Sequence, residues 1–271
     1  MKKLLSLVLA LMLLMTAMTP VFAETEDNSL NAILEKGTLI LGLDDTFAPM
    51  GFRDENNEIV GFDIDLARVV CEKLGVELII QPIDWDSKEM ELASGNIDCI
   101  WNGMSATDER KESMALTEPY MNNAMALVSA DEANTTPEGL AGKVLGVQAA
   151  SYAEEMMYDE ANKPFFDSLD DMVSFAEYAT AFMDLANGNL DAILVDSVYA
   201  AYTTSNLDGT YYIGPGLEDD LYAVGFRKED VALRDKVNEI FEELKADGTM
   251  SALSIQWVGE DLIYFGTTDA E

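Results

Sequence analysis

Short apolar runs alternate along this chain with segments whose apolar residues recur at helical spacing. The run at 38–43 (TLILGL) follows a glycine and reads as a buried strand. Over 62–74, Phe62, Leu66, Val69, Val70 and Leu74 fall on one helical face, and Gly75 closes the helix. A strand over 76–80, a short helix over 87–93 stopped by Gly95, a strand over 97–101, a polar helix over 107–113 and a strand over 125–128 follow. The polar loop 53–58 reads as a hairpin turn. After the TTPEG turn at 135–139 the rhythm restarts, with strands over 143–147, 172–175, 190–195 and 221–226 and helices over 152–161, 177–187 and 198–203. A long helix over 231–245 and an aromatic segment around Trp257 end the chain. Helices alternating with buried strands predict an α/β fold with mainly parallel sheet. The turn at 129–139 is too short to separate independent domains, so two closely apposed lobes are expected.

The N-terminus sets the expected compartment. Lys2 and Lys3 precede an apolar run over 4–17, then Pro20, Val21, Phe22 and Ala23, then the polar ETEDN. This is the pattern of a secretory signal peptide over 1–23, with cleavage expected after Ala23. The run is short for a membrane span, which makes an uncleaved anchor the lesser alternative. No cysteine follows it, so a bacterial lipoprotein anchor is not expected. The expectation is an exported protein, periplasmic or extracellular, with no membrane insertion after cleavage.

Composition narrows the chemistry. The 271 residues carry 51 acids and 16 bases, a net charge of −35, and 49 % apolar residues. Without Lys2 and Lys3 the balance is 14 bases to 51 acids, a net charge of −37. Such a chain has no surface for phosphate backbones, so nucleic acid is excluded as a partner. Histidine is absent, which removes Ser-His-Asp catalysis and His-based metal sites. There is no G-x-G-x-x-G and no P-loop, and no cofactor or metal is implied. Gly103-Met104-Ser105-Ala106-Thr107 comes near a nucleophile elbow but lacks the second glycine and any histidine base. Asp219-Asp220 reads as part of a solvated loop, and Cys71 and Cys99 as two buried thiols rather than a disulfide.

The order of motifs carries a resemblance. LDDTFAPM at 43–50, VGFDIDL at 60–66, PIDW at 82–85, SGNID at 94–98, GMSATDER at 103–110, VLGVQ at 144–148, DAILVD at 191–196 and YAVGFRK at 222–228 follow one another. The chain thereby resembles the extracellular solute-binding proteins of polar amino-acid ABC transporters, across all of its length beyond the leader. The resemblance implies a two-lobed, type II periplasmic-binding-protein fold with a hinge. Lobe 1 would hold 24–125 plus 222–271, and lobe 2 would hold 126–221. Two strands near 124–128 and 219–223 would join the lobes, which close on a ligand by hinge motion. The implied function is capture of a free amino acid in the cleft and its delivery to a membrane permease, without catalysis. Two alternatives share the scaffold: an exported cyclohexadienyl (arogenate or prephenate) dehydratase and an amino-acid sensor.

The same resemblance assigns roles. Arg110 would hold the α-carboxylate in bidentate geometry, helped by the hydroxyl and amide of Ser105. Gly103 would offer a carbonyl, and Asp196 its carboxylate, to the α-ammonium. As a residue at a strand end, Asp196 alternatively reads as a helix N-cap. Phe47 and Trp85 would sandwich the aliphatic part of the ligand, with Asp44, Gln148 and Val195 at the side-chain end. Asp44 alternatively caps its own loop, or gives up its place to Asp45. In QAASY at 148–152, Ala150 and Tyr152 replace a glycine and a small hydroxyl residue usual in the family, leaving Ser151 for the carboxylate. Asp44 disfavours acidic ligands and suits polar uncharged or cationic amino acids.

Overall fold

The computed structural model describes residues 27–266; the expected leader over 1–23 lies outside them. The first half runs α1 (Ser29–Lys36), β1 (Thr38–Leu43), β2 (Thr46–Phe47), β3 (Gly51–Arg53), β4 (Ile59–Val60), α2 (Phe62–Leu74), β5 (Glu77–Pro82), α3 (Lys88–Ser94), β6 (Cys99–Ile100), α4 (Asp108–Ser113) and β7 (Met114–Leu116). The chain continues with β8 (Met121–Ser129), β9 (Val144–Gln148), α5 (Tyr152–Glu155), α6 (Lys163–Phe166), β10 (Asp171–Phe175), α7 (Tyr178–Ala186), β11 (Ala192–Asp196), α8 (Ser197–Asn206), β12 (Tyr212–Ile213) and β13 (Glu218–Tyr222). It closes with β14 (Gly225–Arg227), α9 (Val231–Ala246) and α10 (Thr249–Val258).

Two sheets organise two lobes. One has the order β5-β1-β6-β14-β7, the other β10-β9-β11-β8-β12 with β13 also on β8. The expected parallel pairing forms one flank of each: β1 with β5 and β6, and β9 with β10 and β11. Antiparallel strands complete both sheets, because β8, β13 and β14 belong to the chain that passes between the lobes. The hairpin expected over 53–58 joins β3 to β4, with Asp54 and Glu58 bonding across it. Helix α2 buries Phe62, Ile64, Leu66, Ala67, Val70 and Cys71 against this framework. Asp63 and Asp65 in its first turn complement the helix dipole. Cys71 and Cys99 are buried free thiols, and burial pushes the Cys71 thiol up to about 12.

Three segments differ from expectation. The helix foreseen over 152–161 is α-helical only to Glu155 and ends as a 3-10 turn at Tyr158, where Asp159 turns extended and caps Ala161 with its own carboxylate. The single strand foreseen over 221–226 is two. β13 ends in one sheet at Tyr222 and β14 begins in the other at Gly225, with Ala223 and Val224 fully buried between them. An apolar run buried along its whole length does not reveal that it changes sheets. The segment around Trp257 is helix α10, bounded by Gly248 and Gly259, both with positive φ.

The loop after β6 hangs on one buried acid. Asp63 accepts hydrogen bonds from Trp101 Nε1 (3.2 Å), Tyr120 Oη (2.7 Å) and the Gly103 amide (2.7 Å). Burial outweighs these three donors and pushes its carboxyl up to about 7. A group whose folded value lies above its ordinary 3.8 adds stability that is complete below 3.8 and lost as pH rises toward about 7. Burial shifts Asp44, Asp196 and Asp220 in the same direction. Calorimetric melting is therefore expected to give a higher midpoint at pH 5 than at pH 8. Asp63→Asn, neutral at every pH, should reduce that difference; an unchanged difference would exclude Asp63 as a cause.

Candidate functional site

A narrow cavity, with only about 20 Å³ of free volume, lies between the two lobes. Nine of the ten residues expected at the site line it: Asp44, Phe47, Trp85, Gly103, Ser105, Arg110, Gln148, Ser151 and Asp196. Asn102, Tyr152 and Tyr178 line it as well. The strand ends place these side chains. β1 delivers Asp44, the loop after β6 delivers Asn102 to Ser105, β9 delivers Gln148 and β11 delivers Asp196. This is the usual position for a ligand in α/β sheets, beyond the carboxyl ends of the strands.

Arg110 is 3 % exposed and lies where the lobes meet, not on the surface of its helix. Nη1 donates to the Ser105 carbonyl at 3.0 Å. Nη2 reaches the second lobe, at 3.4 Å from the Ala150 carbonyl and 2.5 Å from Glu155 Oε1. Nε is buried with no partner among the described residues. A buried guanidinium N–H without an acceptor is costly. Ser105 turns its hydroxyl onto Asp220 Oδ2 at 2.9 Å. Ser151 donates to the Gln148 carbonyl at 2.7 Å and caps α5 by accepting from the Glu154 amide. The Tyr152 hydroxyl points to Glu218 at 2.6 Å.

Asp196 does not cap its helix with its side chain. Its Oδ1 accepts from Asn123 Nδ2 (2.7 Å) and from Tyr222 Oη (2.9 Å). Burial and the nearby Asp220 push its carboxyl up to about 7. Asp219-Asp220 is not a solvated loop. Both residues lie in β13, Asp219 exposed and Asp220 buried, because β13 pairs with β8 along this stretch. Gly103 has φ +55°, and a Cβ there would stand 2.8 Å from the Phe47 ring, so only glycine lets the ring seat.

At the other end, Asp44 Oδ1 accepts from the Thr46 amide and hydroxyl, while Oδ2 accepts from Gln148 Nε2 of the opposite lobe at 2.8 Å. The loop cap and the cavity wall are thus the same residue. Asp45 is instead paired with Arg53 at 2.6 Å. Phe47 stacks on Tyr199 with ring centroids 4.9 Å apart. Val195, expected at the side-chain end, is buried in the core, since its neighbour Asp196 takes the cavity face of the strand.

With this geometry in place the comparisons with known proteins are specific. The sequence matches the bacterial extracellular solute-binding proteins, family 3, over residues 39–260. The chain belongs to that family. It is 31 % identical over 241 residues to the L-cystine-binding protein TcyJ of Escherichia coli K12, covering 88 % of each chain. It is 30 % identical to the histidine-binding periplasmic protein of the same strain, covering 97 % of this chain and 99 % of that one. A substrate-binding protein of an ABC uptake transporter from Streptococcus pneumoniae, solved with bound histidine, superposes with a TM-score of 0.83 at 40 % identity. That match covers 88 % of this chain and 98 % of the other. These likenesses bear out a two-lobed binding protein rather than an enzyme. Among the described residues no helix is long and apolar enough to cross a membrane.

Lys88 was not foreseen. It is 1 % exposed, with Nζ 4.9 Å from the centroid of the Trp85 ring. Nζ also donates across the lobes to the Ala150 carbonyl at 2.8 Å. Burial and the neighbouring Arg110 pull its ammonium below the usual lysine range. Nothing in the sequence separates this lysine from a surface one at the start of a helix. Ala150, whose carbonyl meets both cations, has φ +53°. That is a left-handed conformation which suits the glycine usual at this position. Ala150→Gly is expected to raise thermal stability by roughly 0.5–1 kcal/mol. A denaturant titration showing destabilisation would contradict the strain.

Proposed function

We propose that this protein captures a free α-amino acid between its lobes and delivers it to the permease of an ABC transporter. The carrying observation is Arg110: a buried guanidinium with Nε unpartnered, across the same cavity from the buried carboxylate of Asp196. One fixed cation and one fixed anion suit the zwitterion that every amino acid presents. The carboxylate meets Arg110 and Ser105, the ammonium meets Asp196 and the Gly103 carbonyl, and Phe47 and Trp85 flank the aliphatic carbons. Asp44 and Gln148 meet the side-chain end, and Ser151 stands beside the carboxylate.

The division into 24–125 plus 222–271 and 126–221, with closure about β8 and β13, belongs to this reading, as does export after cleavage of 1–23 without a lipid anchor. The paired strands support the hinge. Met121 faces Tyr222 and Met125 faces Glu218, so the two connections form one ribbon.

The side-chain end favours cationic and polar uncharged amino acids over acidic ones. The cavity shares Asp44 and Trp85 with an outer groove lined by Asp45, Asp84, Asp86, Glu91 and Glu177 and, among the described residues, by no base. Burial and the charges of Asp44, Asp45 and Asp84 push Glu177 up, a sign of crowded acids. Competition among arginine, lysine, glutamine, cystine and glutamate tests the ranking, with glutamate expected last; tightest binding to glutamate would refute it. Arg110→Ala should keep the far-ultraviolet dichroism of the native fold and lose about 2–5 kcal/mol of binding free energy. A folded variant within threefold of wild type by calorimetry would refute the carboxylate role.

A further inference from the structure

Asp220 has no place in the ligand contacts above, yet it joins both ends of the site. It sits on β13 directly opposite Asn123 of β8. Asn123 Nδ2 gives one N–H to Asp220 Oδ2 at 2.9 Å and the other to Asp196 Oδ1 at 2.7 Å. Its Oδ1 accepts from Ser197 Oγ at 3.2 Å and from the Val198 amide at 3.5 Å, which fixes the orientation of the amide. Asp220 Oδ2 also accepts the Ser105 hydroxyl. A continuous chain, Ser105–Asp220–Asn123–Asp196, therefore runs from the carboxylate end of the cavity to the ammonium end. With its hydroxyl turned to Asp220, Ser105 offers an amino acid's carboxylate its backbone amide.

We propose that Asp220 is a positioning residue of the binding site that shares one proton with Asp196, and that an arriving amino acid's ammonium displaces this proton. The inference rests on the amino-acid reading. Two buried carboxylates joined by one neutral amide cannot both ionise cheaply. Their surroundings supply little positive charge. Arg110 acts on Asp220 but is bonded to Glu155 and two carbonyls. The tyrosines 120, 152, 178 and 222 that feel the pair are held neutral by burial, and Glu218 and Asp219 on the same strand are acids. Burial raises both carboxyls, and the charge of Asp220 adds to the rise at Asp196. The step is simple in balance: the zwitterion enters unchanged, its ammonium pairs with the doubly ionised acids, and one O–H proton leaves to solvent.

Calorimetric titration with L-arginine and with L-glutamine from pH 5 to pH 8 tests this, since neither probe titrates in that range. The expected Kd tightens with pH, by up to tenfold per unit at the acid end, and levels above about pH 7. Buffers of different ionisation enthalpy should report release of close to one proton near pH 5. Asp220→Asn is expected to weaken binding at pH 8 and to flatten the slope; a merely structural residue would weaken binding equally at every pH. A flat wild-type Kd with no proton release, or a wild-type slope in Asp220→Asn, would overturn the proposal. Carboxyl carbon NMR of the protein without amino acid gives an independent readout. Asp196 and Asp220 should titrate as a coupled pair, and independent titrations would overturn the shared proton. Failure of both probes to bind at every pH would instead overturn the amino-acid reading, leaving the NMR result to decide the shared proton.

Discussion

A guanidinium buried where two lobes meet has to find its acceptors in both, and much of the cleft follows from that need. Arg110 takes a carbonyl from its own lobe at Ser105 and a carbonyl and a carboxylate from the other at Ala150 and Glu155. To present its carbonyl there, Ala150 holds a left-handed backbone. Lys88 meets the same carbonyl from the Trp85 side. A chain with so few cations has buried two of them at one seam, where each one counts most in a low dielectric.

The opposite sign is handled by a different device. Asp63, Asp196 and Asp220 are buried acids satisfied by neutral donors: indole, phenol, amide and hydroxyl. Asp63 ties the Gly103 loop to helix α2, which sets the height at which Ser105 and Arg110 enter the cavity. Asn123 and Asp220 sit in the ribbon between the lobes, so the polar network and the mechanical connection are the same strands.

Much of this was legible in the sequence because periodicity and motif order report burial directly. The bounds expected for β1 and α2 are those observed, since a glycine precedes each and the apolar pattern is unbroken. The cavity residues followed from the family resemblance that the order of motifs carries. What stayed hidden depends on contacts between distant segments. Lys88 looks like any helix lysine until Ala150 is brought beside it. Asp220 looks like one more acid among 51 until Asn123 pairs with it. The change of sheet between Tyr222 and Gly225 leaves no trace in a run that is apolar on both sides of it. Val195 and Asp196 were both placed at the cavity, although neighbours in a strand face opposite ways.

The direct bonds across the cleft have a kinetic meaning. Gln148 with Asp44, Lys88 with Ala150 and Arg110 with Glu155 join the lobes through the protein's own groups. Such bonds favour the shut arrangement whether or not a solute lies inside. In the proposed hinge motion a solute enters only while the lobes stand apart, so the fraction of time spent open would scale the capture rate. The same bonds must break before release, which lengthens residence. In that reading, strengthening them would slow exchange in both directions, so these six residues would set the tempo of capture.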